Sequence, residues 1–157
     1  MIDRDQLRRR VTRPTLQYLG LWSEAAEALL IGTAAQESAG GRYLHQLGGG
    51  PALGIYQMEP ETHKDIWKNF LTYRADLAPL VRGLRSVQSP GIRAAEEMIG
   101  NLFYATAMTR IHYFRRPEAL PDAGDIPALA AYWKAHYNTV LGAGTEEEFI
   151  AAWSRYI

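Results

Sequence analysis

Residues 33–41 read TAAQESAGG. Glu37 closes a run of small and apolar residues, and two glycines follow almost at once. Ala34, Leu30 and Leu29 lie three, seven and eight positions before it. That spacing puts its carboxyl on the apolar face of a helix. Burial disfavours the carboxylate form and raises the pKa. The partial negative charge of a helix C-terminus pushes the same way. A glutamate so placed keeps its proton near neutral pH, as a general acid must. The alternative is a helix-end glutamate that swings out to water or pairs with Arg42.

The segment that follows, GGGPALGIYQMEPETHKDIW at 48–67, supplies groups that could face a ligand. Glycines let backbone approach a ligand closely. Tyr56 offers an amphipathic ring and Gln57 an amide that both donates and accepts. These suit sugar rings and N-acetyl amides. Glu59, Glu61 and Asp65 sit where the loop becomes a helix. One of them could serve as the second carboxylate that a glycoside hydrolase requires, although acids also favour the solvated first turn of a helix. The GGG at 48–50 is not a phosphate loop, because no Gly-Lys-Ser/Thr follows it. His45, His63, His112 and His136 have no close metal-ligand spacing, and there is no cysteine. No metal or other cofactor is expected. Trp22, Trp67, Trp133 and Trp153 are expected to pack, with Trp67 or Trp133 the alternatives for the floor of a sugar subsite.

The elements that must position these groups are helical. Ser23 is an N-cap for a helix from Glu24 to about Ser38. Pro14 and Gly20 bracket a short helix at 14–19. Residues 39–58 read as a glycine-rich loop with a small hairpin. Pro60 reopens a helix to about Leu71, and a weaker one follows at 74–86. The stretch 92–114 is the longest helical pattern, with Ala95, Met98, Ile99, Leu102, Ala105, Thr106 and Thr109 on one face. It is expected to be a central, buried helix. Pro127 starts a helix to about Tyr137, and Thr145 with Glu148 forms a capping box for a last one. The pattern is all-α in one domain, 1–157, with residues 1–20 a candidate arginine-rich N-terminal extension.

Composition narrows the function classes. The chain has 157 residues, 47% of them hydrophobic, enough for one core. Seventeen basic and seventeen acidic residues cancel, so there is no general electrostatic case for nucleic acid or an anionic membrane. The basic residues cluster in RDQLRRRVTR at 4–13. That stretch reads as a solvated helix face or as a contact patch for an acidic polymer or partner. No apolar run approaches a membrane span, so no membrane insertion is expected. The start MIDRDQLRRR lacks the apolar segment of a signal peptide.

AAQESAG followed by ALGIYQMEPETH resembles the soluble lytic transglycosylase family of the lysozyme superfamily, close to the goose-type lysozymes. Glu37 and Ser38 match that family's Glu-Ser helix end. Gly54, Ile55, Tyr56 and Gln57 match its Gly-Leu-Met-Gln-like segment, with Tyr56 where Met is common. Pro60 and Thr62 match the tail. ALAAYWKAHYN at 128–138 resembles the family's Ala-Tyr-Asn motif, either at Tyr132, with Trp133 in place of Asn, or at Tyr137-Asn138. The likeness spans roughly residues 25–140.

The resemblance implies a lysozyme-like fold and cleavage of the β-1,4 bond between N-acetylmuramic acid and N-acetylglucosamine in peptidoglycan glycan strands. Glu37 would be the general acid and then the base. Tyr132 or Tyr137 would orient it. Ser38, Gly54, Tyr56, Gln57 and Asn138 would line the substrate site. That substrate lies outside the cytoplasmic membrane, so the chain is expected to be bacteriophage-encoded. It would act as a virion component during genome entry or as an endolysin held in the host cytoplasm before release, with a secretion-system wall enzyme as a third case. Other virion proteins would dock on the arginine-rich start. The competing class is a structural virion protein that keeps the fold without the activity.

Overall fold

A computed structural model describes residues 1–86, 93–139 and 141–156. Those residues are mostly helical, and strand pairing among them is limited to isolated bridges. The helices are α1 (Arg4–Gln6), α2 (Arg13–Tyr18), α3 (Glu24–Ser38), α4 (Pro60–Asn69), α5 (Ala78–Gly83), α6 (Glu97–Gly100), α7 (Leu102–Phe114), α8 (Ile126–Trp133) and α9 (Glu146–Arg155). None of the described helices is long and apolar enough to cross a membrane.

The centre of the molecule is α3. Ser23 Oγ accepts from the Ala26 N–H at 3.0 Å and starts it. Leu29, Leu30, Ile31 and Ala34 are all fully buried. A helix apolar on every side must be surrounded, and α7, α8, α9 and the N-terminal turns pack around this one. Gly32 sets the approach of α9. A Cβ there would stand 2.3 Å from the Phe149 ring, so only a glycine lets that ring lie against the α3 backbone.

The long pattern at 92–114 is not one helix. Residue 92 lies outside the described residues, a 3₁₀ turn covers Ala94–Glu96, and Asn101 separates α6 from α7. Asn101 adopts φ −102° and ψ 92°, and its side chain accepts from the Tyr104 N–H. Gly100 weakens the helix locally and asparagine prefers a cap to a helix interior. Helical periodicity alone does not register that interruption. The expected hairpin is reduced to single pairings of Leu53 with His45 and with Met58.

The arginine-rich start packs into the body and does not stand off as an extension. Leu7, Thr12, Thr15 and Leu16 are buried. The helical path widens into a π-turn over Leu7–Thr12. Pro14 follows directly, and its ring would clash with the Arg10 carbonyl of an unbroken α-helix. Two of the arginines are taken up by Glu27, a glutamate only 3% exposed. Arg13 Nε and Nη2 donate to its two oxygens at 2.7 and 2.8 Å. Arg8 lies at 3.1 Å, and Trp22 Nε1 donates at 2.9 Å. Burial alone would raise the Glu27 pKa, but these bonds and the arginine charges outweigh it and hold the carboxyl below its ordinary 4.5.

A depressed carboxyl contributes stability above its unfolded pKa and loses it as pH falls through the folded one. Glu27→Gln is therefore expected to cost about 2 kcal/mol at pH 7. The deficit should begin to shrink as pH falls below about 4.5 and vanish once pH passes below the folded pKa, as read by thermal melts of both proteins over a series of acid pH values. A deficit that stays constant down to acid unfolding of wild type would deny the titration of Glu27 this role.

Candidate active site

Glu37 lies in the last turn of α3, where the chain turns away through three left-handed residues, Ala39, Gly40 and Gly41. One carboxyl oxygen is fixed: Trp133 Nε1 donates to Oε1 at 2.8 Å. Trp133 is itself fully buried and lies 5.4 Å from the Phe149 ring. Burial raises the Glu37 pKa to about 7 from an ordinary 4.5, and the Trp133 bond offsets part of the rise. The Tyr43 hydroxyl donates to the Glu37 carbonyl at 2.9 Å and closes the following loop over the helix end.

Neither tyrosine expected to orient Glu37 does so. Tyr132 donates to the Glu118 carbonyl at 2.9 Å, and Tyr137 to the Tyr56 carbonyl at 2.7 Å. Adjacent helical residues point about 100° apart. Since Trp133 faces α3, Tyr132 must face elsewhere, and it packs 4.4 Å from His136. The tryptophan that departs from the Ala-Tyr-Asn pattern holds the acid.

Glu37 opens onto a cleft of about 740 Å³. It is larger than the hollows of about 310 Å³ beside Arg42 and about 520 Å³ beside Asn101. Gln57, Tyr137 and Asn138 line it, as do Glu59, Thr62 and His112. A π-turn over Lys134–Asn138 carries Tyr137 and Asn138 to this wall, and Lys134 Nζ holds Asn138 Oδ1 at 2.7 Å.

Three other expected contact residues support the site and do not line it. Ser38 is fully buried, with its Oγ donating to the Ile55 carbonyl at 2.6 Å and accepting from the Gly41 N–H at 2.9 Å. Tyr56 is buried, and its hydroxyl pairs with Thr106 at 3.0 Å. Gly54 has φ +74°, and a Cβ there would stand 2.2 Å from the Met98 carbonyl oxygen. Each of the three presses the loop against the core. Gln57 adopts φ 49° and donates through Nε2 to the Gly54 carbonyl at 2.8 Å. Trp67, one alternative for a sugar floor, donates to the Tyr104 hydroxyl under Arg82 and does not line the cleft.

The three further carboxylates separate. Glu59 lines the cleft. Glu61 is exposed near Lys64. Asp65 accepts from Arg115 and Asn69, which hold it below the ordinary range. Among the described residues, no three acidic or histidine side chains gather as a metal site.

His112 escaped the sequence reading as a site residue. It sits in the last turn of α7, and nothing in its local sequence distinguishes it from a core histidine. Burial, then the charges of Arg115 and Arg116, push its pKa down to about 3. Tyr43 and Trp133 carried only weak signals, a tyrosine just past the glycines and a mismatch in a motif.

Compared with protein-family models, with curated proteins and with solved structures, the chain matches none.

Two outcomes follow from the state of Glu37. Trp133→Phe removes the donor that favours the carboxylate, so the Glu37 pKa should rise from about 7 by about one unit. A carbon-13 titration of the carboxyl reads this directly, and an unchanged value would deny the bond its role. Secondly, a folded pKa above the unfolded one gives stability that is whole below about 4.5 and is lost as pH rises to about 7. Glu37→Gln should therefore be more stable than wild type at pH 8, by on the order of 2 kcal/mol, and not at pH 4. Melting curves at both values test it.

Proposed function

We propose that the chain is a peptidoglycan-cleaving enzyme of the lytic transglycosylase kind, built on a lysozyme-like domain, with Glu37 as its acid and base. The observation that carries this reading is a carboxyl poised at about pH 7 on the wall of a 740 Å³ cleft. A group poised near the working pH can both give and take a proton, and cleavage without hydrolysis needs both from one residue.

Trp133 Nε1–H can only donate, so Oε1 accepts and the acidic proton belongs on Oε2. That proton passes to the glycosidic oxygen as the bond from muramyl C1 breaks. The N-acetyl carbonyl of the same sugar stabilises the cation at C1. The muramyl 6-hydroxyl oxygen then bonds to C1, and its proton returns to Glu37. The products are a 1,6-anhydro sugar and a free 4-hydroxyl, and no water is consumed. Gln57, Asn138 and Tyr137 would hold the glycan in the cleft.

Glu59 supports a second reading. Because it shares the cleft with Glu37, a water-activating carboxylate and muramidase-type hydrolysis are also accommodated. In either case delivery to the wall fits a phage virion component or an endolysin. Docking to other virion proteins would rest on Arg4, Arg9 and Arg10, because Arg8 and Arg13 are engaged by Glu27.

Purified peptidoglycan digested with wild type and with Glu37→Gln, then weighed by mass spectrometry, tests the reading. Muropeptides lighter by one water than the hydrolysed form, absent with the variant, are the expected result. Ordinary reducing ends would establish hydrolysis and direct attention to Glu59. No release by either protein would overturn the enzymatic reading in favour of a structural one.

A further inference from the structure

His112 is held in one protonation isomer by its neighbour. Arg115 Nη2 lies 3.1 Å from His112 Nδ1, while Arg115 Nη1 binds Asp65. A guanidinium has only donors. The Nδ1 atom must therefore accept, and a neutral imidazole then carries its hydrogen on Nε2. Burial, before any charge, keeps the ring neutral. Arg115, Arg116 and His136 add to it by disfavouring a second positive charge, and Asp65 opposes them. Tyr137 packs against the ring at 5.1 Å, edge to face, and fixes its plane.

His112 lines the same cleft as Glu37. Its Nε2 has no protein partner among the described residues and is not sealed from solvent. This distinguishes it from several neighbours on the wall. The Trp133 N–H is committed to Glu37, the Tyr43 hydroxyl to the Glu37 carbonyl, the Tyr137 hydroxyl to the Tyr56 carbonyl, and the Gln57 amide to Gly54. Among the described residues, amide hydrogens of Gln36, Gln46 and Asn138 also remain on this wall, but on side chains with several rotatable bonds. The His112 ring is clamped by Arg115 and Tyr137, so its Nε2–H is held rigidly.

We infer that His112 is a substrate-positioning residue that donates Nε2–H to the N-acetyl carbonyl of a sugar in the cleft, with Arg115 and Asp65 fixing the tautomer. This rests on the glycan reading of the cleft. It adds a selectivity to that reading: N-acetylated glycan is preferred over the free amine, because an ammonium group offers no acceptor and leaves the histidine hydrogen unpaired.

The test has a spectroscopic part and a binding part. Long-range nitrogen-15 spectra of the free protein at pH 7 should show His112 as the Nε2–H tautomer, and the Nδ1–H form would overturn the proposal. Binding is then measured with tetra-N-acetylchitotetraose and with its fully deacetylated counterpart. His112→Phe keeps a ring but no donor, and should weaken binding of the acetylated oligosaccharide about tenfold. His112→Gln keeps an N–H near the Nε2 position and should stay within about threefold of wild type. Because a deletion could disturb the fold, both variants are compared with wild type by thermal melting. The Gln variant's recovery separates donor loss from general damage. The deacetylated sugar should bind wild type and His112→Phe equally weakly. If wild type binds the acetylated sugar and His112→Phe binds it as well, the role of His112 falls while the glycan reading stands. If wild type binds neither sugar, the glycan reading falls and this inference with it.

Discussion

The hydrogen bond from Trp133 to Glu37 joins two helix ends that are 96 residues apart in the chain. It exists because α8 and α9 both lie against α3. Phe149 can approach only where Gly32 offers bare backbone, and Trp133 then packs at a tilt against Phe149 with its indole nitrogen directed at the end of α3. One missing side chain in the middle of the central helix thus determines where a carboxyl at its end finds its partner. The acid is a product of the core packing and not an addition to it.

Two glutamates on the same helix show how environment divides one residue type into opposite roles. Glu27, in the first turn of α3, is surrounded by guanidinium groups and an indole N–H, and remains ionised. Glu37, in the last turn, meets only one neutral donor, and burial dominates. The first is a structural anion that draws the N-terminal turns onto the body. The second carries a destabilising desolvation that the remainder of the fold sustains.

Much of this was legible in the sequence. The Ser23 and Thr145 caps, the run to Ser38 and the exit through glycine are local signals, and local signals survive folding. The raised pKa of Glu37 followed from apolar spacing together with its place at a helix C-terminus. What failed was tertiary. Ser38, Gly54 and Tyr56 looked like ligand contacts because their types suit ligands, but each is consumed by a backbone or core partner that lies far away in sequence. Tyr132 lost to Trp133 because a one-residue shift on a helix redirects a side chain by about 100°. The pairing of His112 with Arg115 and Asp65 needed α4 and α7 side by side, which no periodicity encodes.

The loop that faces the acid has one more property of consequence. Gln57 sits at φ 49°, a conformation that a non-glycine residue adopts only when its surroundings impose it. Here Tyr137, Ser38 and the Gly54 carbonyl impose it through the protein's own bonds. The ordering entropy of that wall is therefore spent during folding and does not recur at each encounter. Under the proposed glycan reading, a strand would meet a wall already held in shape, and its residence on the protein would be governed by how fast contacts break and not by how fast a loop rearranges.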